Sequence, residues 1–280
     1  MMDNTSQLLA IGSGIILAVV SYILIDYFGK KLHFKQRFFN IFWGFILGPI
    51  IENKLKTTKE KLFSEANGKV LEIGSGTGST FKYLNFENIS TLISIEPNPF
   101  MFNELEKQSL KYVRIDDKNK KDKEGSNDND NDIDNDEINN NNNINNNNNI
   151  NSNRIKILSK SIEMSINDKD IEYLSFDTII CSLVLCSIKD EKEIIDNLIR
   201  LLKPGGKLLF IEHIASEKYH WRIFQNIINP FWSLIGDNCK LTKKTDKLIK
   251  SIKGWEKVTI SNIFTPLPFN FIQGIAIKEL

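Results

Sequence analysis

Apolar positions along the chain fall into three regimes. From Leu8 to Ile25, 18 residues run without a charge (LLAIGSGIILAVVSYILI). As a helix this stretch extends about 27 Å, near the thickness of a bilayer core, and it predicts a membrane anchor. A cleaved signal peptide is the competing reading, but MMDNTSQ ahead of it has no basic n-region and no AxA-like site follows. The second regime, Phe38 to Ile51 (FFNIFWGFILGPII), is 14 residues long, short for a span and rich in aromatics. It reads either as an interfacial or re-entrant membrane segment or as a helix packed over the opening of the following domain. Lys54 to Phe63 then reads as a charged linker helix.

In the third regime, β-branched runs alternate with helical spacing. Val70–Ile73, Thr91–Ile95, Ile155–Leu158, Thr178–Val184 and Lys207–Glu212 read as strands. Thr178–Val184 is almost wholly apolar, as expected of a central parallel strand covered on both faces. Asp190–Leu202 has helical spacing, with Ile194, Ile195, Leu198, Leu201 and Leu202 apolar, and LKPGG ends it. Residues 257–263 and 270–278 read as a terminal strand pair joined through TPLPF. The pattern predicts an α/β fold with a doubly wound, Rossmann-like sheet. Between Asp116 and Asn153 the chain turns to Asp, Asn and Lys, with ten Asn among the eleven residues 139–149. Such a segment has too little apolar surface to offset its ordering entropy, so it reads as a disordered insertion. The organisation expected is an anchor with its basic flank at 1–37, an interfacial helix and linker at 38–63, and one domain at 64–280 carrying the 116–153 insert.

Chemistry enters at VLEIGSGTG, residues 70–78. Gly74, Gly76 and Gly78 let the chain leave a buried strand and bring backbone N–H groups against a ligand with no Cβ in the way. The dinucleotide fingerprint GxGxxG fails because position 79 is Ser. What remains is ExGxGxG, with Glu72 two residues ahead of the first glycine. Glu96 ends the next strand, 18 residues beyond Gly78. A carboxylate there accepts two hydrogen bonds from a ribose diol; the bland alternative is a surface residue opening the loop at Pro97.

Composition narrows the partners. A formal charge of +1 over 280 residues provides no field for nucleic acid, and no basic run is interleaved with aromatics. Cys181, Cys186 and Cys239 form no CxxC pair and accompany only three histidines, which argues against a zinc site or a disulfide framework, so no metal is expected. Lys30, Lys31, Lys35 and Arg37 follow the candidate anchor, against a lone Asp3 before it, which orients the bulk of the protein to the cytosol.

Five segments in order, VLEIGSGTG, SIEPNP, SIEM, FDTIICSLVLCSI and LKPGGKLLFIEH, resemble class I S-adenosylmethionine (SAM) methyltransferases of the ubiquinone/menaquinone biosynthesis type. CSLVLCSIKD, IEHIA and NPFWSLIGDNCKLT resemble more narrowly the membrane-anchored, methyltransferase-like thiol S-methyltransferases. The resemblance implies a seven-stranded sheet with its last strand antiparallel, SAM as cofactor, attachment at endoplasmic reticulum or lipid droplet, and a small lipophilic acceptor such as an alkyl thiol. By the same resemblance Glu72, Gly74, Gly76 and Gly78 form the cofactor loop, Glu96 holds the ribose, Glu163 lies near the adenine, and Ser182 lies beneath the methyl group. Glu163 lacks the proline that often follows it in the family, and a solvated turn is its alternative. A quinone or lipid C- or O-methyltransferase, and a non-catalytic SAM-binding membrane protein, are the other functions compatible with these segments.

Methyl transfer from a sulfonium needs mainly alignment and exclusion of water. His213, after the fifth strand, is the candidate base for a thiol acceptor, with a structural histidine as its alternative. Asp237, beside Asn238, either orients the acceptor or caps a helix beginning near Leu241. Cys186 reads as a small buried hydrophobe, because SAM transfer needs no covalent enzyme intermediate.

Overall fold

The computed structural model describes Ser21 and residues 34–124, 154–263 and 269–280. The candidate anchor at 8–25 lies almost wholly outside these residues. Among the described residues no helix is long and apolar enough to cross a membrane.

Seven strands form one sheet: β1 Gly68–Ile73, β2 Ile89–Ile95, β3 Ile155–Leu158, β4 Phe176–Ser182, β5 Leu202–Ile214, β6 Trp255–Ile263 and β7 Asn270–Lys278. Their spatial order is β3-β2-β1-β4-β5-β7-β6. β1 to β5 pair in parallel, whereas β7 runs antiparallel to both β5 and β6. The doubly wound sheet expected from the alternating pattern is present. Its order reverses between β1 and β4, the switch point where open α/β sheets bind ligands at the strands' carboxyl ends.

Apolar layers cover both faces. One packs Leu71, Phe176, Ile179 and Phe210 against Ile194, Ile195, Leu198 and Leu201. Those last four lie on the helix Glu191–Leu201, whose first turn is closed by Asp190 Oδ1 accepting from Glu193 N at 3.2 Å. Each such side chain stabilises the fold by about 1.5–3 kcal/mol on burial. The other layer packs Val70, Leu92, Ile180 and Leu209 against Leu55, Phe63 and Phe81.

Three expected boundaries are corrected. The stretch read as a linker is part of helix α2, Gly48–Phe63 (α1 being Phe34–Phe42), and its face Leu55, Lys59, Leu62 and Phe63 is buried. Positions i, i+4, i+7 and i+8 form a core stripe that the surrounding lysines disguise. The fourth strand ends at Ser182 rather than Val184, because Leu183 adopts φ +60° and turns the chain out of the sheet. Helix α3, Pro99–Glu124, runs past Asp116, where the insertion was expected to begin. Residues 125–153 lie outside the described part.

Candidate active site

The site forms where β1, β2, β4 and β5 end together. After Ile73, Gly74 N and Ser75 N both donate to Ile95 O, at 2.8 and 3.1 Å, which fastens the glycine turn to the end of β2. Gly74 has φ +64°, and a Cβ there would lie 2.5 Å from Val184 Cγ2. Gly76 has φ +57° and faces open space, with Met101 Sδ, at 3.8 Å, the one atom a Cβ would meet. Gly74 therefore answers to the protein's own packing, and Gly76 leaves room for a ligand.

Glu96 closes the turn from above. Its Oε2 accepts from Gly76 N and its Oε1 from Asn98 N, both at 2.7 Å. Each carboxylate oxygen retains a lone pair, so the ribose contacts expected of Glu96 are compatible with this arrangement. Asn98 caps α3 by accepting from Phe100 N and reaches α1 by donating Nδ2–H to Gln36 O at 3.1 Å. The glycine turn and the N-terminal segment are thereby joined through the Glu96 and Asn98 side chains.

That segment forms a roof. Between α1 and α2 a wide π turn, Trp43–Leu47, hangs over the cleft, with Trp43 stacked on Phe39 at 5.5 Å. Residues 38–51 pack over the opening, one of the arrangements expected for them. Beneath the roof are two lobes that share Trp43, Ile51, Gly74, Gly76, Ser182 and Leu183. The polar lobe is bounded by Ser75, Thr77, Ser79, Thr80, Glu52 and Lys59. Lys59 is buried and paired with Glu52 at 2.7 Å, and Tyr83 donates its hydroxyl to the same carboxylate. Burial opposes charge on Glu52, but Lys59, Tyr83 and Lys82 outweigh it and hold the carboxyl below its ordinary range. The second lobe is apolar, walled by Phe39, Phe42, Leu47, Trp232, Phe269 and Phe271, with Glu96, His213 and Asp237 at its edge.

The expected site residues separate into groups. Gly74, Gly76, Glu96 and Ser182 line the cleft, and His213 and Asp237 line its apolar lobe. Gly78 lies behind the turn, against Leu105, Gln108 and Phe81. Glu72 is fully buried beneath the loop, with Ser94 Oγ donating to it at 3.5 Å. Glu163 stands exposed on the first turn of α4, Ile162–Asn167, and does not line either lobe. Asp237 and Asn238 take left-handed φ values of +47° and +66° at the turn after α6 (Tyr219–Ile235; the helix Glu191–Leu201 is α5). Neither caps the next helix, α7, Thr245–Ser251, which starts after Lys244.

Other residues were not foreseen. Glu212 is wholly buried in β5, where its Oε1 accepts from Val184 N and Leu185 N at 3.0 and 2.9 Å and so shapes the turn after β4. The signal was present in LLFIEHI, since an acid inside an apolar strand must have partners. Cys186 and Cys239, scattered in sequence, meet His213: Cys239 Sγ lies 3.5 Å from Cys186 Sγ and 2.7 Å from His213 Nε2. No local spacing announces a group assembled from positions 186, 213 and 239.

Burial pushes Glu72, Glu96 and Glu212 each up to about 7; backbone hydrogen bonds restrain Glu96 and Glu212, and neighbouring hydroxyls restrain Glu72. A raised carboxyl keeps its proton in the folded chain up to about pH 7 but loses it near 4.5 when unfolded. The folded state then binds more protons between these values, and stability falls as pH rises through that window. Glu52 and Asp177 are shifted downward, so their contributions are complete above about 4.5 and do not oppose this trend. Urea midpoints are expected to fall from pH 5 to about 7.5 and then level; a midpoint that rises over this range contradicts the assignment.

A family model described as a methyltransferase domain matches residues 50–259, which spans the glycine turn, Glu96, the β4 turn and β5. The chain belongs to the methyltransferases. SAM is the cofactor, and the geometry fits it: an unobstructed Gly76, a ribose-competent carboxylate, and a cleft at the switch point. Human thiol S-methyltransferase TMT1A is 35% identical over 109 residues, covering 37% of this chain and 44% of that protein. Human thiol S-methyltransferase TMT1B is 26% identical over 216 residues, covering 72% and 69%. This methyltransferase thus spans less than half of the first relative and about two thirds of the second in those matches. Its fold resembles that of a SAM-dependent methyltransferase, possible histamine N-methyltransferase, of Thermotoga maritima (TM-score 0.50, 15% identity, 86% of this chain and 100% of that one). It also resembles the YcgJ protein of Bacillus (TM-score 0.51, 13% identity, 82% and 99%). At these identities the likeness concerns fold alone.

Proposed function

We propose that this methyltransferase transfers the SAM methyl group to the sulfur of a small lipophilic thiol at a membrane surface. The observation that carries the proposal is the aromatic lobe continuous with the glycine turn, with His213 and two cysteines on its wall. The similarity to thiol S-methyltransferases supports the choice of sulfur.

Bound SAM supplies an electrophilic methyl group on a sulfonium. Gly74 to Gly76 and Glu96 hold the nucleoside end, and the Glu52–Lys59 pair offers both charges to an amino-acid end. Ser182 and Leu183, common to both lobes, mark the passage between cofactor and acceptor. Phe39, Phe42, Trp43 and Trp232 exclude water and select an apolar acceptor body. His213 Nε2 stands on the lobe wall where it can take a thiol proton. Hydroxyl donors prefer an ionised Glu96, so SAM affinity is expected to tighten as pH rises through about 7.

The membrane part of the proposal is supported by exposed apolar side chains on the elements that flank the mouth. Phe38, Ile41 and Ile50 are exposed on the roof, and Ile223, Phe224, Ile227 and Phe231 on α6, which packs against α1. The uncharged run 8–25 and the basic residues after it are in keeping with a tether on the cytosolic side, at endoplasmic reticulum or lipid droplet. The test is incubation with methyl-labelled SAM and a panel of alkyl thiols, phenols and quinones, read by mass spectrometry. Label on thiol sulfur is expected; label confined to ring carbon or phenol oxygen overturns the proposal.

A further inference from the structure

We propose that Cys186, His213 and Cys239 form a site for a soft divalent metal ion, zinc by donor type, whose open fourth position faces the acceptor lobe and receives the acceptor sulfur. Two thiol sulfurs and an imidazole nitrogen, all buried, lie within 4.8 Å of one another. Two cysteines, one histidine and an open position make a known form of catalytic zinc site. The three residues come from separate elements: the turn after β4, the end of β5 and the turn after α6. Their convergence is a property of the tertiary fold rather than of one loop.

The surroundings favour ligation over plain core packing. Cys239 Sγ is approached both by His213 Nε2 at 2.7 Å and by Trp232 Nε1–H at 3.1 Å. An indole N–H is a donor only, so Cys239 is held as an acceptor, the role of a thiolate ligand supported from outside its coordination sphere. The ligand-bearing turns are tied together, since Lys240 N donates to Cys186 O at 3.1 Å and Lys243 Nζ to Leu185 O at 2.7 Å. His213 is fixed on a strand whose register pairs it with Phe271. A tetrahedral zinc with ordinary bond lengths sets edges of about 3.8 Å between sulfurs and about 3.6 Å between sulfur and nitrogen. The sulfur edge of 3.5 Å nearly meets this, and the His213–Cys239 edge must open by about 0.9 Å. All three residues border the apolar lobe, the space from which an acceptor sulfur would reach them.

The balance is simple. Metal binding releases the two cysteine protons and leaves a neutral site around the dication. An acceptor thiol that takes the fourth position gives its proton to bulk water, because His213 Nε2 is then a ligand and not a base, and its sulfur lone pair forms the new bond to the methyl carbon. The bond from that carbon to the sulfonium breaks, its electron pair stays on the departing thioether, and the methylated product, a weak ligand, leaves the metal. No oxidant or reductant is needed. This role for the fourth position rests on the thiol reading above, with the metal replacing His213 as the group that activates the thiol; the metal site itself does not rest on it.

The experiment is titration of the reduced, chelator-stripped full chain with Co2+ alone, followed by absorption. One equivalent per chain with sulfur-to-cobalt charge-transfer and tetrahedral ligand-field bands is expected. Cys186→Ser, His213→Ala and Cys239→Ser are expected to lose these bands, while Cys181→Ala, outside the cluster, keeps them; circular dichroism checks that each variant is folded. No bands in the wild-type chain, or bands unchanged in all three cluster variants, overturn the site, as does a Cys186–Cys239 disulfide in freshly isolated protein. An alkyl thiol added to the cobalt form is expected to shift the charge-transfer band. An unshifted band in a chain that still methylates the thiol overturns the metal's role and leaves the thiol proposal standing. A shifted band without methylation supports the metal site and counts against the thiol proposal.

Discussion

Glu96→Ala is expected to weaken SAM binding by two to three orders of magnitude. In the folded chain this carboxylate accepts from Gly76 N and Asn98 N at 2.7 Å each, and it lines the cleft with lone pairs left to accept from a ribose. Hydrogen bonds to charged groups are worth about 1.5–3 kcal/mol apiece, and about 1.4 kcal/mol corresponds to tenfold in affinity. Loss of two ribose contacts therefore accounts for about a hundredfold at the low end of that range. Release of Gly76 N adds to this, because the turn then keeps only the Gly74 and Ser75 bonds to Ile95 O. Glu96→Gln keeps one acceptor oxygen but turns the other position into a donor, so it is expected to cost about tenfold to a hundredfold. Isothermal titration calorimetry reads both variants, and unchanged affinity in Glu96→Ala removes the ribose assignment.

The largest expected loss of stability is at a residue that does not contact the cofactor loop. Glu212→Ala removes a fully buried carboxyl whose Oε1 holds Val184 N and Leu185 N. Two backbone donors then lie buried without partners beside a new cavity, a combination that costs roughly 3–5 kcal/mol. For a chain of this size that corresponds to a fall in melting temperature of about 10 °C. Glu212→Gln retains an oxygen acceptor for both N–H groups and removes a titrating group, so it is expected to melt within a few degrees of wild type and to flatten the pH dependence between 5 and 7. A neutral outcome for Glu212→Ala means that the turn after β4 does not depend on this carboxyl. Because Leu183 at φ +60° and Val184 against Gly74 both lie in that turn, its collapse is also expected to reduce SAM affinity.

The parallel sheet was legible because its central strands carry apolar residues on both faces, and Thr178 to Cys181 cannot belong anywhere but inside. Glu96 was legible for a related reason, as an acid placed where such a strand emerges near a glycine turn. The strand's end was not legible, since nothing in Ser182-Leu183-Val184 announces the left-handed turn at Leu183. Residues 38–51 were ambiguous on physical grounds: Phe39, Phe42 and Trp43 suit a lipid interface and an aromatic pocket wall equally well. Lys59 hid the buried stripe of α2, because a lysine at a core position reads as solvent until its partner Glu52 is seen at 2.7 Å. The Cys186–His213–Cys239 group was illegible because its separations are 26 residues or more, far beyond the spacings by which local metal motifs are recognised.

The central claim is that SAM occupies the cleft between the glycine turn and the aromatic roof. Hydrogen–deuterium exchange of the full chain with and without saturating SAM tests it directly. Slower exchange is expected at Gly74–Gly78 and Glu96–Asn98, together with the roof residues 39–51, and unchanged exchange is expected at the distant β6 edge. Binding of SAM with no protection at the glycine turn, or with protection confined to another part of the chain, would contradict the account.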